Sequence, residues 1–165
     1  MRWQRRSRRW AGVCYFDPAG GAQAASSATR VNSLQELLTT ADVVSLHVPL
    51  LPETQNLIGV RELAMMKKDA VLIQAARGGV VDEAALATAL SESRIGGAAV
   101  DVYSTEPPPA DNPLLTLKDE GASRILLTPH IAGVTRQASA FLFRSAWQNV
   151  KRVLIDGQPP NNRVY

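Results

Sequence analysis

The sequence has few of the features that define membrane, disulfide-bonded or zinc proteins. It contains a single cysteine, Cys14, so no internal disulfide framework can form, and we expect a reducing, cytoplasmic location. Because Cys14 follows Val13 in an apolar run, we interpret it as a buried structural thiol. One cysteine and two histidines give no convincing zinc constellation. No apolar run approaches the roughly 18 residues that span a bilayer, and no apolar stretch typical of a secretory signal follows the basic start.

Positive charge is concentrated at one end of the chain. The first ten residues, MRWQRRSRRW, hold five arginines and no acid, whereas the whole chain has a net charge of +3. Residues 11–165 are therefore net negative, which is a poor electrostatic footprint for a nucleic-acid-binding protein. We expect neither nucleic acid nor a membrane as a partner, and recognition of nucleic acid by the basic tip is the minor alternative.

Short apolar segments alternate with helical patterns along the chain. The run 43–48 is almost continuously apolar and ends at Pro49, and Ser33 with Glu36 forms a capping-box pattern at the start of a helix. This alternation predicts an α/β fold whose parallel sheet is buried on both faces. The small and polar residues 19–30 predict a loop. The predicted strands are 13–16, 43–48, 70–73, 97–100 and 125–127, and the predicted helices are 54–66, 82–90 and 137–155, with one more that begins after Ser33.

Charged side chains and an imidazole follow consecutive predicted strands. Arg77 follows the third strand, Asp101 and Glu106 follow the fourth, and His130 follows the fifth, while the other histidine, His47, lies at the end of the second. In open parallel sheets, ligands bind outside the carboxyl ends of the strands. These side chains therefore predict one site at a single edge of the sheet.

The residue types at this edge suit the chemistry of a small hydroxy or oxo acid. A planar guanidinium matches a carboxylate that stands beside a carbonyl. An imidazole can move a proton near neutral pH, and a neighbouring carboxylate would orient the ring and favour its imidazolium form. No Ser or Cys is set beside an obvious base in the sequence, so covalent acyl chemistry is not favoured. Singly, Arg77 also fits a solvated loop, Glu106 an ordinary surface position and His130 a structural role, but their convergence favours a site.

Two features near these residues allow more than one interpretation. The glycines that follow Arg77 suggest a close approach of the backbone to a ligand. Asp17 is either a turn former with Pro18 or the acid that binds adenosine ribose hydroxyls and excludes a 2′-phosphate.

Several motifs resemble those of the D-isomer-specific 2-hydroxyacid dehydrogenases, the family of phosphoglycerate dehydrogenase and the glyoxylate/hydroxypyruvate reductases. They are YFDP, ADVVSLHVPLLPETQNLI, LIQAARGGVVDEAALATAL, GGAAVDVYSTEPPP and LLTPHIAGVT, and they cover most of residues 13–135 in family order. The resemblance implies a Rossmann-like doubly wound parallel sheet, NAD as cofactor and a small 2-oxo or 2-hydroxy acid as substrate. We also expect a homodimer.

The resemblance implies a role for each matched residue. Arg77 would bind the substrate carboxylate and carbonyl, and His130 would exchange a proton with the C2 oxygen. Glu106 would hold His130, Asp101 would bind the nicotinamide carboxamide, and Asp17 would bind the adenosine ribose. Further cofactor contacts are expected from Pro49, Thr54, Ala75, Ala76, Ala132 and Gly133, in addition to Arg77 and His130.

The sequence departs from the family at its beginning. No G-x-G-x-x-G precedes Cys14, and the N-terminal substrate domain of about a hundred residues, the size of a small domain, is not present. In the doubly wound order, the first strand lies between the second and the fourth. The predicted strand 13–16 should therefore lack its central neighbour, which would leave unpaired edges in an incomplete sheet.

From these departures we expect these residues on their own to bind NAD weakly and to have little activity. We interpret residues 1–12 as a basic stub left from the first helix, 13–150 as a partial NAD-binding domain, and 151–165 as a helix end with an extended tail. The competing hypothesis is a non-catalytic interaction module that keeps the scaffold of the cofactor domain.

Overall fold

The computed structural model describes residues 12–18 and 28–161. Most of the basic stub, its two tryptophans and the last four residues of the tail lie outside this part of the chain. The chain divides into two compact units, with the boundary between Leu127 and Thr128. The strands are β1 (Val13–Tyr15), β2 (Ala28–Arg30), β3 (Val43–Leu46), β4 (Val71–Gln74), β5 (Gly97–Val100) and β6 (Ile125–Leu127). The helices are α1 (Leu34–Thr40), α2 (Val60–Met65), α3 (Glu83–Ser91), α4 (Asp119–Ser123) and α5 (Arg136–Leu154).

A parallel four-stranded sheet in the order β3-β4-β5-β6 is the centre of the first unit. The strands pair in register, so that Val71 of β4 lies between Val43 and Gly97. A helix or helical turn follows each strand, as right-handed crossovers between parallel strands require. The α/β class and the parallel sheet predicted from the alternation are confirmed.

The hydrophobic core lies between this sheet and its helices. Leu72 of β4 packs in one cluster with Leu38 of α1, Leu63 of α2 and Leu86 of α3, and all four side chains are almost completely buried. Each such leucine contributes about 1.5–3 kcal/mol to folding through removal of apolar surface from water. Burial on both faces, which we predicted for the sheet, holds for the middle strands. It fails at β3, where alternate residues are exposed and Val43 is 57% accessible.

The helix ends follow from local hydrogen bonds. The Ser33 hydroxyl accepts a hydrogen bond from the Glu36 amide at 3.1 Å, as the capping-box pattern predicts, although the Glu36 carboxylate accepts from the amide of Asn32. The predicted helix 54–66 is wrong in its first half. Ile58 forms an isolated parallel bridge with Val81, which keeps that backbone extended, so α2 begins only after Gly59.

The first two strands form a separate parallel pair. The loop predicted for residues 19–30 is wrong at residues 28–30, and residues 19–27 lie outside the described part of the chain. Ala28–Arg30 is a strand whose three residues pair with Val13–Tyr15. Among the described residues, β1 pairs with β2 and β3 pairs with β4, but β1 and β3 do not pair with each other. The expected incomplete sheet is thereby confirmed. Cys14 is half-buried, so it is not the fully buried thiol that the apolar run predicted.

The second unit consists mainly of α5. Its first turn is capped by the Thr135 hydroxyl, which accepts a hydrogen bond from the Ala138 amide at 3.1 Å. No residue of α5 is buried, including its large apolar side chains. The tail, expected to be extended, turns at Gly157 (φ 59°), and Asn161 is held by the side chain of Asn149. Within the part of the chain that is described, no helix has both the length and the apolar character needed to cross a membrane.

Candidate active site

Arg77 lies in a short loop three residues beyond the end of β4. Its side chain is exposed, and one guanidinium nitrogen donates to the carbonyl of Ala76 at 2.7 Å. The loop backbone is held from inside the protein by Gln74, which is only 2% exposed. The Gln74 amide nitrogen donates to the Arg77 carbonyl at 2.8 Å, and its oxygen faces the Ala76 amide at 3.4 Å. The Gln74 side chain therefore fixes the backbone of the Arg77 loop relative to the end of β4.

The glycine after Arg77 meets the protein's own backbone, which corrects our interpretation of a close approach to a ligand. A Cβ atom at Gly78 would overlap the carbonyl group of Tyr103 and would lie 2.7 Å from the Ser104 nitrogen. Only glycine allows this approach. Gly79 has φ +81°, a left-handed conformation that glycine adopts without strain. The Arg77 loop and the segment after β5 are therefore in direct contact.

The segment after β5 carries both predicted carboxylates. Asp101 directly follows the strand, and its amide donates to the carbonyl of Gln74 at 2.9 Å. The Glu106 side chain is folded back, so that its carboxylate accepts a hydrogen bond from the Tyr103 amide at 3.0 Å. The Glu106–Pro107 peptide bond is cis. The structure thus brings Arg77, Asp101 and Glu106 to the carboxyl edges of two neighbouring strands.

The negative charges near the ends of β4 and β5 act on Tyr103, which is only 6% exposed. Burial, together with the negative charges of Asp101, Glu83 and Glu106, raises the pKa of the Tyr103 phenol above 10.0. Both effects disfavour the phenolate, because a buried anion loses hydration and neighbouring carboxylates repel it. Three carboxylates therefore act on this one hydroxyl.

The same segment is anchored to α3 by polar side chains that our sequence analysis did not single out. The Glu83 carboxylate accepts from the Ser104 amide and from the Asn112 side chain, each at 2.6 Å. Asn112 is 5% exposed and also accepts from the Leu114 amide at 2.9 Å. Gln74 and Asn112 are the buried polar side chains among the described residues. Gln74 follows an apolar run in the sequence, which is a signal that could have indicated it, whereas Asn112 stands beside Asp111 in a proline-rich loop and gives no such signal.

The end of β3 carries His47 and the expected cofactor-lining turn. The Thr54 hydroxyl donates to the Pro49 carbonyl at 2.6 Å and accepts from the Leu51 amide at 2.8 Å, which closes the turn. Pro49 and His47 are exposed. His47 Nε2 lies 2.9 Å from the hydroxyl of Ser45, two residues earlier, and both residues are exposed. The sequence analysis did not anticipate this contact.

Asp17 lies just beyond β1, in the strand pair that is separate from the main sheet. It is half-buried, and its backbone carbonyl accepts a hydrogen bond from the Arg30 guanidinium at 3.0 Å. This bond connects the end of β1 to the end of β2. The carboxylate of Asp17 thus stands where a strand ends, as the ribose-binding role requires.

The remaining predicted residues belong to the second unit. His130 follows β6 by three residues and has a left-handed backbone conformation, with φ 52°. Ala132 and Gly133 begin the short 3₁₀ turn Ala132–Val134 that precedes α5, and they are exposed. Residues other than glycine seldom adopt this conformation, although histidine does so more often than most, and strained positions cluster at functional sites.

The described residues fit part of a dinucleotide cofactor. Asp17 and Asp101 place acceptor carboxylates at strand ends, which suits ribose hydroxyls and a carboxamide. Ala75, directly after β4, is exposed and carries only a methyl side chain. No helix that begins with G-x-G-x-x-G occurs among the described residues, so none of them offers the usual pyrophosphate site. In the same part of the chain, no group of three His, Cys, Asp or Glu residues is arranged to hold a metal ion.

Comparison with known proteins identifies the class that this fold and site define. Residues 8–132 match the family described as D-isomer specific 2-hydroxyacid dehydrogenase, NAD binding domain. The chain belongs to this family, and the resemblance drawn from the motifs is confirmed. NAD is accordingly the cofactor of the domain, and the family consists of dehydrogenases that act on hydroxyacids.

Individual relatives agree with this assignment. Glycerate dehydrogenase of Methylorubrum extorquens is 44% identical over 128 residues, which cover 78% of this chain and 40% of that protein. D-3-phosphoglycerate dehydrogenase of Methanocaldococcus jannaschii is 43% identical over 124 residues, or 75% of this chain and 22% of that protein. The chain spans less than half the length of these curated relatives.

Solved structures agree in fold. The TT0316 protein from Thermus thermophilus has a TM-score of 0.76 at 37% identity, covering 93% of this chain and 46% of that one. D-lactate dehydrogenase with NAD⁺ from Lactobacillus jensenii has a TM-score of 0.76 at 28% identity, covering 94% and 48%. The Rossmann-like assignment is therefore confirmed.

Proposed function

We propose that this chain carries the substrate chemistry of an NAD-dependent D-2-hydroxyacid dehydrogenase, with Arg77, Glu106 and His130 as its catalytic residues. The observation that supports the proposal best is the direct contact between the loops after β4 and β5. Gly78 abuts the Tyr103 carbonyl, and the Tyr103 amide binds Glu106. The substrate-binding cation and the acidic residue are thereby fixed to neighbouring strands. Relatives with hydroxyacid dehydrogenase names favour the same reaction.

Arg77 binds the substrate in this proposal. Its guanidinium offers five N–H donors in a planar fork, and its hydrogen bond to the Ala76 carbonyl uses one nitrogen. The other donors can form paired hydrogen bonds with the substrate carboxylate and the adjacent carbonyl. Such pairing would orient C2 of the acid and polarise its C=O bond.

His130 exchanges the proton with the C2 oxygen, and Glu106 orients the ring. In the direction of reduction, the imidazolium would donate its proton as negative charge develops on that oxygen. The carboxylate of Glu106 would hold the imidazole in the orientation that this proton transfer needs. When bound, NAD supplies or accepts the hydride at C2.

The cofactor would be held along the strand ends. Asp17 would bind the adenosine ribose and Asp101 the nicotinamide carboxamide. Small or turn-forming residues would line the rest of its path: Pro49, Thr54, Ala75, Ala76, Ala132 and Gly133. We also propose a homodimer in a reducing, cytoplasmic compartment, which the single cysteine in the sequence favours.

We further propose that these 165 residues alone bind NADH weakly. Support comes from the separation of the strand pair β1-β2 from the four-stranded sheet, where the family order needs a strand between β1 and β3. The glycine-rich turn that would follow such a strand holds the pyrophosphate on backbone amides. Residues that fill this place should therefore restore cofactor affinity.

The test compares the 165-residue chain with a completed chimera. The chimera fuses the part of M. extorquens glycerate dehydrogenase that precedes its residue aligned with Val13 to residues 13–165 of this chain. Isothermal titration with NADH and turnover with glyoxylate or hydroxypyruvate are measured for both. We expect turnover in the chimera that falls at least about a hundredfold in His130→Gln, as loss of a general acid predicts.

Two outcomes would contradict the proposal. A well-folded chimera that binds NADH but leaves every 2-oxo acid unreduced would remove the dehydrogenase function. Micromolar NADH binding and rapid turnover by the 165 residues alone would remove the claim of weak binding.

A non-catalytic interaction module remains the second candidate, because α5 exposes a large apolar surface. Phe143, Trp147 and Leu154 are each at least 70% accessible, which is unusual for side chains of this size. Size-exclusion chromatography with light scattering distinguishes the two candidates. A stable dimer of the chain, together with a folded chimera that has no activity, would favour the module.

A further inference from the structure

We propose that Glu83 is a positioning residue that fixes the loop bearing Glu106. The inference rests on the proposed function, in which Glu106 is catalytic. Glu83 is the first residue of α3, and its two carboxylate oxygens bind different ends of that loop. Oε1 accepts from the Ser104 amide and Oε2 from the Asn112 side chain, each at 2.6 Å.

Asn112 is oriented so that only its nitrogen can face Glu83. The side chain is 5% exposed, and its oxygen accepts a hydrogen bond from the Leu114 amide at 2.9 Å. Reversal of the amide would bring its NH₂ group against the Leu114 N–H and its oxygen against the Glu83 carboxylate. One buried and one partly buried hydrogen bond would then be lost, so the observed orientation is strongly preferred.

The two anchor points enclose Glu106. Ser104 precedes it by two residues and Asn112 follows it by six, so one carboxylate closes the loop at both ends. Closing a loop in the folded state restricts the positions available to every residue between its ends. The neighbouring amide, that of Tyr103, is the one that binds the Glu106 carboxylate at 3.0 Å.

The peptide group between Tyr103 and Ser104 is held from two sides. Its N–H donates to Glu83, and its carbonyl lies against Gly78 of the Arg77 loop. Both partners of Glu83 are uncharged N–H donors, so its hydrogen bonds serve placement and not charge neutralisation. A shift of this peptide would move the Tyr103 amide, and with it the hydrogen bond that orients Glu106.

The test is a cycle of two substitutions in the 165-residue chain. Glu83→Gln sets one NH₂ group against another N–H donor, and Asn112→Asp sets two carboxylates against each other. The double variant restores one donor and one acceptor with their places exchanged. Hydrogen exchange of the Tyr103 and Ser104 amides, followed by NMR, should accelerate about tenfold or more in each single variant and return towards the wild-type rate in the double variant.

Two controls distinguish positioning from general destabilisation. Glu92→Gln makes the same change at the other end of α3, where Glu92 forms an exposed ion pair with Arg94, and should leave both amides unchanged. Leu90→Ala lowers the stability of the whole unit and should accelerate the Leu72 amide of β4 as well. In Glu83→Gln, the Leu72 amide should keep its wild-type rate.

The exchange of the Tyr103 amide decides the structural part of the inference. If Ser104 accelerates in Glu83→Gln while Tyr103 does not, Glu83 binds its own partner without positioning Glu106, and the inference is overturned. Equal acceleration of Tyr103, Ser104 and Leu72 would also overturn it. These outcomes are read without catalysis, so they stand apart from any failure of the proposed dehydrogenase function.

Turnover tests the catalytic part. In the completed chimera, with NADH and glyoxylate, Glu83→Gln should lower kcat about tenfold while the KM for NADH stays within twofold, and the double variant should recover most of kcat. If the Tyr103 and Ser104 amides of Glu83→Gln exchange faster but kcat does not change, Glu83 has no part in the reaction.

Discussion

At the scale of single residues, Arg77 combines an exposed guanidinium with a backbone that is fixed by a buried amide. The Gln74 side chain holds the Arg77 carbonyl at 2.8 Å, whereas the guanidinium makes one hydrogen bond, to Ala76. A residue whose main chain is held and whose charge faces outward suits the binding of an anion. Its role therefore depends on the shape of the donor group as well as on its charge.

We predict that Arg77→Lys in the completed chimera raises the KM for glyoxylate at least about tenfold. Lysine keeps the charge but loses the planar fork that forms paired hydrogen bonds with a carboxylate. Steady-state kinetics at saturating NADH measure the effect. Arg61→Lys, on the exposed surface of α2, is the matched control and should leave the KM unchanged. An equal KM in the two variants would exclude Arg77 from substrate binding.

Tyr103 gives a prediction for alkaline pH. Its pKa is raised above 10.0 in the folded protein by burial and by Asp101, Glu83 and Glu106. The folded state therefore keeps the phenolic proton at pH values where the unfolded chain releases it. The corresponding stability is fully present below pH 10 and is lost as the pH rises from 10 towards the folded pKa.

We expect Tyr103→Phe to flatten this alkaline decline. Urea unfolding at pH 8, 9, 10 and 10.5 would give the free energy of unfolding of both proteins. The difference between wild type and variant should be constant up to pH 9 and should then shift in favour of the variant. Parallel curves over the whole range would contradict the raised pKa.

The residue types at the site were predictable from the sequence, but their supporting contacts were not. Asp101 and Arg77 could be placed at strand ends because parallel strands share one carboxyl edge. The prediction that Gly78 allows a close approach to a ligand was wrong. The group that leaves no room for a Cβ atom there is the carbonyl of Tyr103, 25 positions further along the chain. Long-range contacts between loops leave no periodic pattern, so Glu83 and Asn112 were missed for the same reason.

At the scale of elements, side-chain caps mark where α1 and α3 begin. The Asp82 carboxylate accepts hydrogen bonds from the Ala84 and Ala85 amides, both at 3.0 Å. These amides have no partner within the helix itself, because the first turn always leaves its N–H groups unpaired. Asp82 therefore sets the position of Glu83, the next residue.

We predict that Asp82→Ala lowers the free energy of unfolding by about 1–2 kcal/mol, the usual cost of losing an N-cap side chain. Urea denaturation monitored by circular dichroism measures this loss. Asp42→Ala provides the comparison, because Asp42 forms an exposed ion pair with Lys67. Such surface pairs contribute ~0.5 kcal/mol. A cost for Asp82→Ala no larger than for Asp42→Ala would show that the cap is unimportant.

Elements with a strong apolar pattern were predicted well, and those defined by their neighbours were not. The strand Gly97–Val100 was predicted with its correct bounds because four small apolar residues stand between helical patterns. The strand Ala28–Arg30 has no buried residue and exists through its pairing with β1, so the sequence predicted a loop there. Similarly, the pairing of Ile58 with Val81 shortens α2, and no local propensity reveals such a bridge.

At the scale of the whole molecule, the described strands form two parallel sheets, whereas the doubly wound order predicts a single one. Val13 of β1 is 62% exposed and Val43 of β3 is 57% exposed, and these two strands do not pair with each other. In the family order, an added strand would lie between β1 and β3 and pair with the backbone of both. Cofactor affinity and stability should therefore rise together when the chain is completed.

We predict a higher urea midpoint for the chimera than for the 165-residue chain, and NADH binding at least about tenfold tighter. A second chimera, in which the three glycines of the supplied G-x-G-x-x-G loop are valines, separates the two effects. Its strand can still pair, but its backbone cannot approach the pyrophosphate. It should keep most of the added stability and lose the added affinity. Equal NADH affinity in the two chimeras would show that the loop has no part in binding.

The order β3-β4-β5-β6 is also the order in which the ribosome makes these strands. Each strand therefore finds its partner already synthesised, and the sheet can assemble vectorially, one βα unit after another. Loops that close over such short separations favour rapid folding. We therefore expect residues 43–127 to gain their structure during translation, before α5 has left the exit tunnel.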